Sequence, residues 1–242
     1  MQKLFDVHTH LLEGNISHYF VASGYCAKTN EEVMQKILQY EKGYFSLGLA
    51  PQEVQREEKY PDVQEAVQKF EMQVKFALAD AKLKKKLVAI GEVGLDKHWG
   101  KTPAQRERQF EAFEKVIHIA KKQNLPLVIH SRDAENECMR QLAASGCKKV
   151  LMHCFGGKIE DAKMAAELGW LISIPPRKNS ERKKIIKEFG IENFVVESDA
   201  PYIAKNNEGA LESAKMIAKY KEIPLDEALE KTFENAKGFF NV

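Results

Sequence analysis

No stretch of about 18 consecutive apolar residues occurs in this 242-residue chain, which excludes a helix built to span a membrane. Cysteine is scarce. Cys26, Cys138, Cys147 and Cys154 never fall at Cys-x-x-Cys spacing, so they read as reduced core thiols rather than a disulfide framework. An excess of one charge is missing too: Lys plus Arg total 37 against 35 Asp plus Glu, a net of +2, too balanced to advertise a polyanion partner through bulk charge. Any anionic ligand must therefore be held locally. There is no internal repeat, low-complexity tract or Gly/Ser linker, so residues 1–242 are expected to form a single domain. The first six residues turn acidic at Asp6 before a signal-sequence core can form, and the expectation is a cytoplasmic protein with no membrane association. What is present is a globular composition, 44% apolar and 30% charged.

Short apolar runs rich in β-formers alternate with longer amphipathic stretches, the pattern of parallel βα units rather than hairpins. The runs are 4–8, 19–24, 44–49, 87–92, 125–130, 149–153, 170–174 and 194–199. Helical periodicity fills 30–42, 62–85, 103–123, 133–145, 159–168, 180–189, 208–220 and 225–240. Thr102-Pro103, Asn179-Ser180 and Pro224 mark helix starts, and Gly146, Gly169 and Gly190 mark stops. Eight such units in roughly 250 residues are the arithmetic of an α/β fold of the (β/α)8 TIM-barrel type. One connection breaks the pattern. Residues 9–18 are too few for a crossover helix, which needs at least about 10 to 12 residues, so the barrel is expected to be distorted or opened at its first βα unit.

In such a barrel the chemistry stands at the C-terminal strand ends. Five of the eight runs end in a metal-ligand residue type: His8 with His10, Glu92, His130, His153 and Asp199. His8 and His10 alternate onto one face about 6 to 7 Å apart along a strand. Each of these residues alone is weak, because a lone histidine is more often structural and Glu92 or Asp199 alone reads as a turn residue. Together they are hard to explain without an ion. An imidazole and carboxylate set without thiolate suits zinc, manganese or iron, with magnesium possible through oxygen ligands. Six donors exceed one tetrahedral site, which points to two ions sharing a bridging group, and a bridging carboxylate such as Glu92 can hold both about 3.5 to 4 Å apart.

Five segments carry a resemblance: Phe5-Asp6-Val7-His8-Thr9-His10-Leu11, Gly91-Glu92-Val93-Gly94-Leu95-Asp96, Ile129-His130-Ser131-Arg132-Asp133-Ala134, His153-Cys154-Phe155-Gly156-Gly157 and Glu197-Ser198-Asp199-Ala200-Pro201-Tyr202. In this order they resemble the TatD family of metal-dependent hydrolases, whose barrels are similar to those of the amidohydrolases. The resemblance implies His8, His10 and Asp199 on one ion, His130 and His153 on the other, and Glu92 between them. It also implies a deoxyribonuclease acting on phosphodiesters, with DNA, single-stranded or frayed at its end, as the partner. Nothing implies a stable protein partner. Three departures surround the mouth of the barrel. Leu12 and Glu13 follow Leu11 where the family has Asp; Leu49-Ala50-Pro51-Gln52 lacks the family's two histidines; and Lys205-Asn206-Asn207-Glu208-Gly209 lacks its Arg and Pro.

The mechanism expected from this set is hydrolysis by a hydroxide held between the two ions, with Asp199 as general base and Glu92 as the bridging catalytic carboxylate. Arg132 is the candidate phosphate contact, Lys97 a source of positive potential, and Tyr202 a platform for an unpaired base. Glu197, of the same strand parity as Asp199, is expected one layer below it, accepting a hydrogen bond from a ligating histidine. Two other readings use the same centre: a dinuclear hydrolase of an ester, amide, lactone or aminoacyl linkage, and a metal-stabilised binding barrel without catalysis.

Overall fold

The computed structural model describes residues 3–242; Met1 and Gln2, part of the stretch read above for a signal sequence, lie outside the described residues. Eight parallel strands close into a barrel in sequence order: β1 (Phe5–Thr9), β2 (Tyr19–Ser23), β3 (Gly43–Leu47), β4 (Leu87–Asp96), β5 (Leu127–Arg132), β6 (Val150–Met152), β7 (Leu171–Ile174) and β8 (Phe194–Val196). Each predicted run overlaps one strand, with β4 and β5 running past their predicted ends. The helices are α1 (Ala27–Lys36), α2 (Pro51–Val54), α3 (Val63–Ala79), α4 (Ala81–Lys84), α5 (Pro103–Gln123), α6 (Glu135–Ala144), α7 (Ile159–Glu167), α8 (Ser180–Glu188), α9 (Gly209–Lys221) and α10 (Leu225–Phe240). Among the described residues no helix is long and apolar enough to cross a membrane.

Local chemistry explains most element ends. Thr102 accepts from the Gln105 backbone while the Gln105 side chain accepts from the Thr102 N–H, a reciprocal cap that starts α5. Asn179 Oδ1 accepts from Arg182 N at 2.6 Å and starts α8. The pattern read as one helix over 62–85 is two, because Asp80 leaves the helical region and caps Lys82 N and Leu83 N with its own carboxylate.

The connection from β1 to β2 contains no helix, as its length requires. The barrel is nevertheless closed, not opened: β1 pairs with both β2 and β8. The distortion is one of register. A shift lies between Asp6 and Thr9 opposite β2, and the β1–β8 seam is reduced to the single aligned pair Asp6 and Val196.

Strand alternation sorts the core into two layers. One parity of strand residues, among them Phe20, Phe45, Ile90, Ile129 and Phe194, packs outward against the helices. The other, including Val7, Val21, Ala89, Val128, Leu151 and Val195, fills the barrel interior. Phe5 at the start of β1 meets Phe233 and Phe240 of α10 at ring-centroid distances of 6.2 and 5.8 Å, so the last helix plugs the N-terminal end. Polar side chains stack above this apolar floor, at the opposite mouth.

Candidate metal centre

All six predicted donors meet at that mouth. His8 belongs to β1 and His10 follows it; His130 belongs to β5; His153 follows β6, and Asp199 lies past the end of β8. Glu92 is expected at a strand end but stands inside β4, which continues to Asp96 because a register shift after Ile90 lets Val93 to Asp96 pair with Ile129 to Arg132. Gly94 permits this: a Cβ there would lie 2.0 Å from the carbonyl oxygen of His130. Gly48 does the same for Glu92 itself, since a Cβ at 48 would sit 2.4 Å from Glu92 N.

The donor atoms form three overlapping triads, His8/His10/Glu92, His8/His153/Asp199 and Glu92/His130/His153, within each of which the ligand atoms lie within 4.8 Å of one another. His153 thus joins both halves of the cluster rather than one. His8 Nε2 is 3.1 Å from His10 Nε2; His10 Nε2 is 3.5 Å from Glu92 Oε2 and 3.6 Å from Asp199 Oδ1. Donors held about 2.0 to 2.1 Å from a common ion stand about 3 Å or slightly more apart, so these edges fit a coordination shell.

The stronger test of fit is what each histidine does with its other nitrogen. His8 Nδ1 meets Ser23 Oγ at 3.1 Å, and His10 Nδ1 donates to the Ser23 carbonyl at 2.8 Å. His153 Nδ1 lies 2.8 Å from Glu197 Oε2, and His130 Nε2 lies 2.7 Å from Asp96 Oδ2. In all four rings one nitrogen is fixed by the protein and the other is aimed at the shared centre, as histidine ligands are oriented in metalloproteins. Two buried carboxylates, Glu92 and Asp199, face the same centre. Buried carboxylates need a cationic partner, and no lysine or arginine supplies one within the six donors.

Without an ion, protons fill that role. Burial alone would lower His130, but the facing Glu92 and Asp96 carboxylates push it up to about 10. His153, likewise opposed by burial, is raised to about 9 by Glu197. Burial and the neighbouring imidazoles hold His8 well below its usual range, and burial also lowers His10. Glu92, despite burial, is held well below the carboxylate range by His130, while burial pushes Asp199 to about 7. The donor set fits divalent ions that displace these protons.

The other predicted residues divide. Glu197 sits beneath the donors, fully buried, its Oε2 also accepting from Ser173 Oγ at 2.5 Å. Tyr202 is 63% exposed at the rim, its ring edge-on to His10 at 5.1 Å and its hydroxyl 3.4 Å from that of Tyr25. Arg132 is exposed at the end of β5, aligned with Asp96 across the ladder. Lys97 is drawn aside, its Nζ 2.6 Å from Glu137 on α6. Sequence reading missed Asp96, Ser23, Ser173 and Gln52, whose Nε2 donates to Glu92 Oε1 at 3.2 Å. Asp96 had a signal: it shares the parity of Glu92 along β4.

The chain is similar throughout to known proteins. A family model described as TatD related DNase matches residues 5–241. An uncharacterized metal-dependent hydrolase of Bacillus subtilis, YabD, is 30% identical, the match covering 99% of both chains. The human deoxyribonuclease TATDN3 is 34% identical over 65% of this chain and 61% of its own length. Among solved structures, YJJV, a TatD homolog from Escherichia coli, superposes with a TM-score of 0.82 at 22% identity, covering 99% of this chain and 98% of that one.

Proposed function

The chain belongs to the TatD-related DNase family of metal-dependent hydrolases, and on that premise we propose that it is a deoxyribonuclease that hydrolyses phosphodiester bonds with two divalent ions held by His8, His10, Glu92, His130, His153 and Asp199. The observation that carries this reading is the common aim of the four histidines, each with its second nitrogen anchored. When bound, the ions supply Lewis acidity toward a phosphoryl oxygen and bring the pKa of a water near neutrality.

The chain's own residues do the rest. Asp199, whose Oδ1 lies 3.6 Å from His10 Nε2, accepts the proton of the attacking water. Glu92 lies between the His8/His10 pair and His130, where its carboxylate, steadied by Gln52, would serve both ions. Glu197 and Asp96 keep His153 and His130 in the tautomers that present a lone pair to the centre. Arg132 offers its guanidinium to a phosphate oxygen of the strand, and the exposed ring of Tyr202 stacks on an unpaired base, which favours single-stranded or frayed DNA.

Turnover of single-stranded DNA by the manganese-, magnesium- or zinc-reconstituted protein tests the reading, beside Asp199→Asn and a panel of carboxylic esters. Metal-dependent cleavage of DNA that falls by about 10²-fold or more in Asp199→Asn supports it. Ester or lactone hydrolysis without phosphodiester cleavage moves the chain to the carbonyl-hydrolase reading. Metal uptake without turnover of any substrate leaves a binding barrel.

A further inference from the structure

The seam between β1 and β8 carries three of the six donors, His8 and His10 on one side and Asp199 on the other, yet only Asp6 and Val196 align across it. A side chain takes over where the ladder fails. Asp6, fully buried, accepts from Ser198 N at 2.9 Å and from His8 N at 3.2 Å on Oδ1, and from Ser198 Oγ at 2.5 Å on Oδ2. The register shift beginning at Asp6 takes His8 N out of the regular ladder, and the carboxylate satisfies it.

Two backbone rungs continue from this clamp toward the mouth: Asp199 N donates to the His8 carbonyl at 2.9 Å, and His10 N donates to the Ala200 carbonyl at 2.8 Å. Ser198 Oγ also accepts from Ala200 N at 3.2 Å, tying the turn that holds Asp199 to the same carboxylate. His8 is thus held by Asp6 directly, and Asp199 and His10 lie one and two residues from a group that it holds.

We propose that Asp6 is a positioning residue of the metal centre: its clamp on Ser198 sets the spacing of His8 and His10 against Asp199. The proposal rests on the two-ion reading above, and it concerns the His8, His10 and Asp199 side of the centre most directly. His130 is held by Asp96 of β4, away from the clamp, whereas Glu197, which orients His153, directly precedes Ser198, so His130 is the donor most independent of Asp6.

Titration calorimetry with Mn²⁺ on the chelated protein tests this without any substrate. His10→Ala identifies the binding step that belongs to the β1–β8 seam. Asp6→Asn keeps the shape and one acceptor oxygen of the clamp, and Ser198→Ala removes only its hydroxyl, so both leave a foldable chain. Leu142→Ala, a core substitution in α6 remote from the seam, serves as a control for general loss of stability. In both seam variants the step that His10→Ala abolishes is expected to weaken by about tenfold or more, and by more than the other step, with the control shifting neither. A seam step that stays within about twofold of wild type, or weakens no more than in the control, overturns the proposal. Wild-type protein that takes up no Mn²⁺ is a different failure: it removes the two-ion reading itself, and the clamp's role with it.

Discussion

Glu197 Oε2 lies 2.8 Å from His153 Nδ1, in a site where both side chains are buried and Ser173 Oγ donates to the same oxygen. The carboxylate fixes which nitrogen of His153 carries the proton and so leaves Nε2 for the centre. Glu197→Gln retains the shape but removes the charge that makes His153 a strong donor. Its metal affinity is expected to fall about 10- to 100-fold, read by titration calorimetry. Wild-type affinity together with wild-type activity would remove the assigned role.

The protonation of the cluster sets a pH dependence with a definite sign. His130 and His153 have folded pKa values raised to about 10 and about 9, above the unfolded range, so the stability they contribute is fully present below about pH 6.5 and is lost as pH rises through 9 to 10. Asp199, raised to about 7, acts in the same direction at lower pH: its folded form holds a proton that the unfolded chain releases above about pH 4. The chelated protein should thus lose melting temperature between pH 7 and about 10, whereas a bound cation replaces those protons. The gap in melting temperature between manganese-loaded and chelated protein is expected to widen over that range. A gap that narrows contradicts the proton occupancy inferred for His130 and His153.

The two basic candidates at the mouth should behave differently. Lys97 is engaged by Glu137, whereas Arg132 extends from the end of β5 into solvent. A charge-assisted contact to phosphate contributes about 1.5 to 3 kcal/mol, so Arg132→Ala should raise KM for single-stranded DNA about tenfold or more, and Lys97→Ala should change it less than about twofold. Equal effects from both, measured at one ionic strength, would return Lys97 to the binding surface.

Much of this architecture was legible in residue order because two periodicities point the same way. Val128 and His130, Leu151 and His153, and Val195 with Glu197 and Asp199 each share a strand face, so an apolar interior beneath a polar rim can be read from alternation alone. The structure departs from that reading where glycine and register intervene. Glu92 taken alone reads as a turn residue at a strand end, yet Gly94 lets β5 approach, and the strand runs on to Asp96. At β1 the alternation itself slips: Phe5 and Val7 fill the interior, and the shift after Asp6 turns His8 into the mouth while burying Asp6 against Ser198. Partners such as Ser23 and Ser173 left little signal, because serine near a strand end is common and its meaning depends on what another strand brings beside it.

The layer beneath the donors offers a check on packing. Leu151 is fully buried in the interior and lies two residues before His153 on the same strand face. Leu151→Ala is expected to cost about 2 to 5 kcal/mol of unfolding free energy, measured by urea denaturation of the chelated protein. A loss well under 1 kcal/mol would mean that the interior is not filled at that level.

The central claim is that six side chains from five strands and their ends converge to hold a pair of cations. Elemental analysis after chelation, reconstitution with manganese or zinc and gel filtration tests it most directly, on wild type and on a His8→Ala/His130→Ala double variant. Two ions per chain in wild type and none retained by the double variant is the predicted result; a wild type that emerges free of metal, or a double variant that keeps both ions, would contradict it.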